Sequence, residues 1–309
     1  MKSIAEAPSK AIITGEHFVV HGAWALAAAL PKKVRVEVRE SSAFRVVSDR
    51  FQGAGARALT PVSALVEAMA REFSFSPALK VSIASQIPEG AGLGSSASTM
   101  VAVASALARF RSLKLGPGEL VRLSMVGEQE IHGRPSGVDP AICALGGVIL
   151  FRRGKAPKKV AFKGTRTLLV SFSGKRRSTK RQISRVSSVK ESFPSLFDGL
   201  TEAASEVSLM AAGRLAAGDI KGLGRLLNFN HAVLSTLGVS NESLDRLVDL
   251  SLSLGSYGAK LTGAGGGGSV VSVAPEGKEK RIISGLKARG FETFRAVVPT
   301  GGVKSWLEQ

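Results

Sequence analysis

Strict alternation of apolar and polar residues marks the first clear element. Over Lys33–Glu40 it sets Val34, Val36 and Val38 on one face, the period-two pattern of a half-buried strand. Leu79, Val81 and Ile83 repeat it. Between them Thr60-Pro61 reads as a cap with proline at the first helical position, and Leu65, Val66, Met69 and Phe73 follow at helical spacing. Ser95 or Ser96 caps the next predicted helix, which carries Val101, Ala104 and Leu107, and Pro117 opens another running to about Glu130. Gly146–Arg152 and Thr167–Phe172 read as strands. After about residue 195 helices take over, at roughly 199–217, 219–236 and 240–254. A strand at Ser269–Val273, a helix near 277–289 and a last strand, Phe291–Val298, close the chain. Without strict βαβ alternation this predicts an α+β fold. The basic, Gly- and Ser-containing stretch 153–195 interrupts the pattern and predicts a domain boundary.

Composition narrows the class. A hydrophobic fraction of 44% argues against disorder, and 309 residues allow one large domain or two modest lobes. The longest apolar runs, Ala23–Leu30 and Ala141–Phe151, fall short of the ~20 residues that cross a bilayer. No basic segment followed by an apolar one opens the chain, so the expectation is a cytoplasmic protein without membrane association. Cys143 is the single cysteine; it excludes an internal disulfide and reads as a core residue. The net charge of +18 points to anionic partners: nucleic acid, membrane surfaces or phosphates. From Pro140 to Lys190 there are 14 Lys and Arg and no Asp or Glu. The aromatics there (Phe151, Phe162, Phe172) lie mostly in apolar strand patterns, a poor stacking platform for nucleic acid.

Four segments carry candidate chemistry. The first, Pro88-Glu89-Gly90-Ala91-Gly92-Leu93-Gly94-Ser95-Ser96-Ala97-Ser98, lies between a predicted strand and a predicted helix. Its glycines permit close backbone approach, and the free N–H groups of the helix start attract phosphate oxygens. No G-x-x-x-x-G-K-[ST] is present, which excludes a P-loop. The third Rossmann glycine is missing, as are the protein-kinase His-Arg-Asp and Asp-Phe-Gly signatures. The second segment runs from Glu128 through Ile131-His132-Gly133-Arg134-Pro135-Ser136-Gly137-Val138-Asp139. His132 reads as a structural hydrogen-bonder rather than a base. The third, Lys260-Leu261-Thr262-Gly263-Ala264-Gly265-Gly266-Gly267-Gly268, holds five glycines in six positions, more than a simple turn requires. The fourth combines Ser9-Lys10 with Gly15-Glu16-His17-Phe18-Val19-Val20-His21-Gly22.

Together and in this order the four segments resemble the GHMP kinases, and Gly15–Gly22, Ile131–Asp139, Arg177–Lys180 and Lys260–Gly268 resemble the mevalonate kinase family among them. The resemblance implies a ribosomal protein S5 domain 2-like N-terminal lobe over 1–165, a GHMP α/β lobe over 166–309, and a site between them. It implies ATP phosphates on Pro88, Gly90, Ala91, Gly92, Leu93, Gly94, Ser95, Ser96 and Ala97. Mg²⁺ would be held by Ser96 and Glu128, oxygen donors of the kind this ion takes. Asp139 would be the catalytic carboxylate, with Lys10 beside it stabilising the transferring phosphoryl group. Glu16, His17, Arg177, Thr179 and Ala264 would contact mevalonate, whose primary hydroxyl is the acceptor. Thr99 stands where the family commonly has an aromatic residue, Pro140 where a hydrogen-bonding side chain is expected, and Gly174-Lys175-Arg176 is unusually basic. Phosphomevalonate kinase, mevalonate 3-kinase and a basic nucleic-acid-binding protein are the alternatives. The sequence leaves the oligomeric state open, a homodimer included.

Overall fold

Two long antiparallel strands, β1 (Lys2–Thr14) and β2 (Ala25–Glu40), begin the chain and frame the site. The structure, a computed structural model, describes residues 1–49, 60–164, 166–175 and 179–309. The two strands pair from Ser3↔Val38 to Thr14↔Leu26, with irregularities between Pro8 and Ser9 and between Ile12 and Thr14. Ala25–Leu30 is buried on both faces, so it shows no alternation, and the pattern reveals only the later half of β2. Ahead of β2 the chain passes a 3-10 turn, Phe18–His21.

Around this pair a first sheet forms in the order β11-β1-β2-β4-β3, with β5 on β2 and β6 on β5. Its further strands are β3 (Arg45–Ser48), β4 (Leu79–Ser85), β5 (Val148–Phe151), β6 (Lys158–Val160) and β11 (Lys304–Glu308). One face carries α1 (Thr60–Glu72), α2 (Ser95–Phe110), α3 (Pro117–His132) and α4 (Val138–Leu145). Of these α2 is the central one, with nearly every side chain from Ala97 to Ala108 buried. A second sheet, entirely antiparallel, has the order β10-β7-β9-β8, from β7 (Thr167–Phe172), β8 (Gly258–Thr262), β9 (Ser269–Val273) and β10 (Thr293–Val297). With it go α5 (Thr179–Ser192), α6 (Pro194–Ala217), α7 (Ile220–Thr236), α8 (Glu242–Ser253) and α9 (Glu279–Lys287). Helix α6 also packs on β1 and β2, joining the halves.

Three expectations need correction. Phe291–Val298 does not close the chain: a further strand, β11, returns to the first sheet and pairs with β1 from Lys2↔Glu308 to Glu6↔Lys304. Its short, half-exposed sequence gives no alternation strong enough to announce it. Neither Ser95 nor Ser96 caps α2; the cap is Gly94 in the left-handed region with no side-chain hydrogen bond, and the Ser96 hydroxyl goes instead to Glu128. The stretch 153–195 is more ordered than expected: besides the anticipated strand at Thr167–Phe172 (β7) it holds β6 and α5, a helix so polar that only Gln182 and Val186 are buried.

Candidate active site

Lys10 sits on β1 with its side chain buried, and its Nζ lies 2.8 Å from Asp139 Oδ2. Its backbone N–H donates to the Leu93 carbonyl at 3.0 Å, tying the strand to the glycine loop. Gly94 allows the approach: it adopts φ +76°, and a Cβ there would lie 2.6 Å from Lys10 Cγ. Asp139 occupies the first turn of α4, where helix N–H groups and dipole favour its negative charge. Glu128, on α3, is almost fully buried and accepts a hydrogen bond from the Ser96 hydroxyl. Burial pushes the Glu128 carboxyl up to about 7, with the Ser96 bond pulling the other way. His132 Nε2 stands 3.9 Å from Glu128 Oε2.

Within the glycine loop Ala91, Leu93 and Ala97 face the core and anchor it, while Pro88, Gly90, Gly94, Ser95 and Ser96 remain partly accessible. Gly92 is buried. The second glycine-rich loop, after β8, closes over the first. The Ser269 hydroxyl donates to the Ala91 carbonyl at 2.8 Å, and a Cβ on Gly268 would stand 3.1 Å from that same oxygen. Ala264 in this loop meets the turn that carries Glu16 and His17: His17 Nε2 lies 3.0 Å from the Ala264 carbonyl. His17 itself is at φ +64°, a conformation unusual for a side-chain-bearing residue and held here by its surroundings. Glu16, beside it, is buried and ion-paired with Lys260 of β8.

These groups converge on a cavity of about 510 Å³ lined by Lys10, Glu16, His17, Glu128, Asp139, Thr179 and Ala264. The structure therefore brings together every described residue assigned to catalysis and acceptor binding, from both sheets. Arg177 lies outside the described residues. Pro140 lines the cavity as a buried residue at the third position of α4, within the first turn whose N–H groups have no intrahelical partner, so its missing N–H costs nothing. Arg134, Arg153 and Lys190 line it too, giving it a basic wall that the sequence analysis did not single out. Only their membership of the acid-free stretch, or of the Asp139 segment, hinted at it. Lys260, which opens the third glycine-bearing segment, is fully buried, a position that local sequence does not reveal for a lysine.

The donor set fits a hard divalent cation. Among the described residues no group of three or more His, Cys, Asp or Glu is placed so that it could hold a metal ion by itself. What exists is one hydroxyl and one carboxylate in contact at the start of α2, an incomplete oxygen shell of the kind Mg²⁺ completes with phosphates and water. A carboxylate beside an ammonium, a helix start that attracts phosphate and a cavity lined by both lobes' residues together suit in-line phosphoryl transfer.

Comparison with known proteins agrees. The family model for the GHMP kinases N terminal domain matches residues 61–147, and that for the GHMP kinases C terminal matches 211–292. The mevalonate kinase of Aeropyrum pernix is 36% identical over 97% of both chains. The crystal structure of L. major mevalonate kinase in complex with R-mevalonate superposes with a TM-score of 0.82 at 30% identity, over 96% of both chains. That of Methanococcus jannaschii mevalonate kinase superposes at 0.81 with 26% identity, over 96% of this chain and 98% of the other.

Proposed function

The chain belongs to the mevalonate kinases within the GHMP kinase family, and from that footing we propose how its own residues carry the phosphoryl transfer. Its activity is ATP-dependent phosphorylation of mevalonate. The observation that carries the reading is the 2.8 Å Lys10–Asp139 pair facing the cavity. ATP phosphates lie along Gly90–Ser96, on backbone N–H groups and the positive end of α2. Mevalonate fills the cavity with its 5-hydroxyl at Asp139, whose carboxylate accepts or orients the hydroxyl proton as the oxygen attacks the γ-phosphorus. The Lys10 ammonium neutralises charge on the transferring oxygens. Glu16, His17, Thr179 and Ala264 frame the acceptor, and Arg153 on the cavity wall supplies positive charge for its carboxylate. Arg177 is assigned to the same role on resemblance alone. Ser96 and Glu128 would hold Mg²⁺, which when bound draws off negative charge from the phosphates.

The partners are accordingly ATP and a small acceptor. The lobes 1–165 and 166–309 are proposed as the two structural halves, with β11 crossing back to the first sheet. Among the described residues no helix is long and apolar enough to cross a membrane.

Asp139→Asn tests the central role. The expected result is a fall in kcat of about 10²–10⁴-fold, the span of general-base contributions, with ATP affinity by fluorescence titration unchanged. Turnover at the wild-type rate would remove Asp139 from the mechanism.

A further inference from the structure

Lys260 is fully buried, yet it carries a side chain built to be charged. Its Nζ donates to Glu16 Oε1, to the Leu261 carbonyl and, at 3.5 Å, to the Ile12 carbonyl. Three donors meet three acceptors, so the ammonium is satisfied without water. The other Glu16 oxygen, Oε2, is buried and has no hydrogen-bond partner, although Glu16 lines the acceptor cavity. A buried carboxylate oxygen without a donor is costly unless a ligand supplies one.

Two residues along β8 on the same face, Thr262 makes the companion contact. Its hydroxyl accepts from the Ile12 N–H and donates to the Ile12 carbonyl, each at 3.0 Å. Ile12 is where the β1–β2 register shifts, so its backbone groups need partners from outside the ladder. A further two residues on, the Ala264 carbonyl meets His17. Alternate residues 260, 262 and 264 thus grip the strand end and turn that present Glu16 and His17.

We propose that Lys260 is a positioning residue for the acceptor: its ion pair fixes the Glu16 rotamer at the cavity wall and leaves Oε2, the carboxylate oxygen with no protein donor, to accept a hydrogen bond from a hydroxyl of the substrate. The proposal rests on the reading of Glu16 as an acceptor contact. Lys260 touches neither substrate nor nucleotide and acts only through Glu16. Burial disfavours the charge on both partners, and each supplies the opposite charge that keeps the other in place.

The test is a kinetic cycle of Lys260→Met, Glu16→Gln and the double variant, with mevalonate and ATP varied separately. Lys260→Met is expected to lower kcat/KM for mevalonate by about 10²-fold, the scale of a misplaced binding group, with the KM for ATP unchanged. Should that variant leave a lone buried carboxylate and fail to fold, the double variant removes both charges and is compared with Glu16→Gln alone. Equal kcat/KM for mevalonate in those two proteins is expected, because Lys260 has nothing to position once Glu16 is replaced. A double variant about tenfold or more worse than Glu16→Gln would overturn the proposal, since Lys260 would then act independently. So would a folded Lys260→Met enzyme with wild-type mevalonate kinetics beside an impaired Glu16→Gln. If Glu16→Gln itself matches the wild type, the assignment of Glu16 as an acceptor contact fails, and the proposal with it.

Discussion

A methyl group at Gly94 would meet the Lys10 stem at Cγ, Cδ and Cε, the nearest 2.6 Å away, and the backbone there is at φ +76°. The lysine side chain can yield where a backbone could not, so Gly94→Ala is expected to fold but to push Nζ away from Asp139. We predict a stability loss of about 1–3 kcal/mol from the left-handed conformation. We also predict a fall in kcat of about 10–10²-fold from the displaced ammonium. Urea titration and steady-state kinetics read the two effects separately, and an alanine variant with unchanged kcat would show that Lys10 need not lie where it does. Cys143, by contrast, behaves as its apolar neighbourhood announced: fully buried, 3.4 Å from the Ser98 hydroxyl, its thiol pushed up to about 12 by burial.

Strand β8 is an edge strand, and α7 covers that edge with side chains. The Ala259 N–H donates to Asn228 Oδ1 at 2.9 Å and the Leu261 N–H to His231 Nδ1 at 3.5 Å. With Nδ1 accepting, the ring proton belongs on Nε2, 3.2 Å from Asp245 Oδ1. Burial lowers the His231 pKa from 6.5, Asp245 opposing. The unfolded chain therefore takes up a proton where the folded one resists it, and stability is lost as pH falls below about 6.5 toward the folded value. The urea midpoint should drop between about pH 7.5 and 5.5, and drop less in His231→Gln. An identical drop in both proteins would mean the imidazole is not neutral in the fold. Elements of this kind also mark the limit of the sequence. Val34–Val38, Leu79–Ile83 and the α7–α8 helices were legible because one face meets solvent. Strand β1 and the first half of β2, buried on both faces and rich in alanine, gave no period, and α5 buries too little to show one. The site was legible where glycine and charged residues must coincide, at 88–97, 128–139 and 260–268. Its basic wall and the Lys260 strut were not, because they depend on which distant segments the sheets bring together.

At the scale of the molecule the cavity needs both sheets. Lys10, Glu128 and Asp139 come from the half built on the first sheet, Thr179 and Ala264 from the half built on the second, and β11 and α6 bind the halves to one another. The excess positive charge is not one uniform face. Arg153 and Lys190 line the cavity, whereas Arg152, Lys155 and Lys158 surround the Trp24 ring at 5.9, 6.0 and 5.7 Å. Charge that lines the acceptor cavity should steer an anionic substrate toward it. The most direct test of the whole account is phosphorus NMR of the product formed from ATP and mevalonate, with phosphomevalonate and homoserine supplied in parallel. Formation of mevalonate 5-phosphate, with the other acceptors left unphosphorylated, is the predicted result. A 3-phosphate product, or preferential turnover of phosphomevalonate, would contradict the placement of the primary hydroxyl at Asp139.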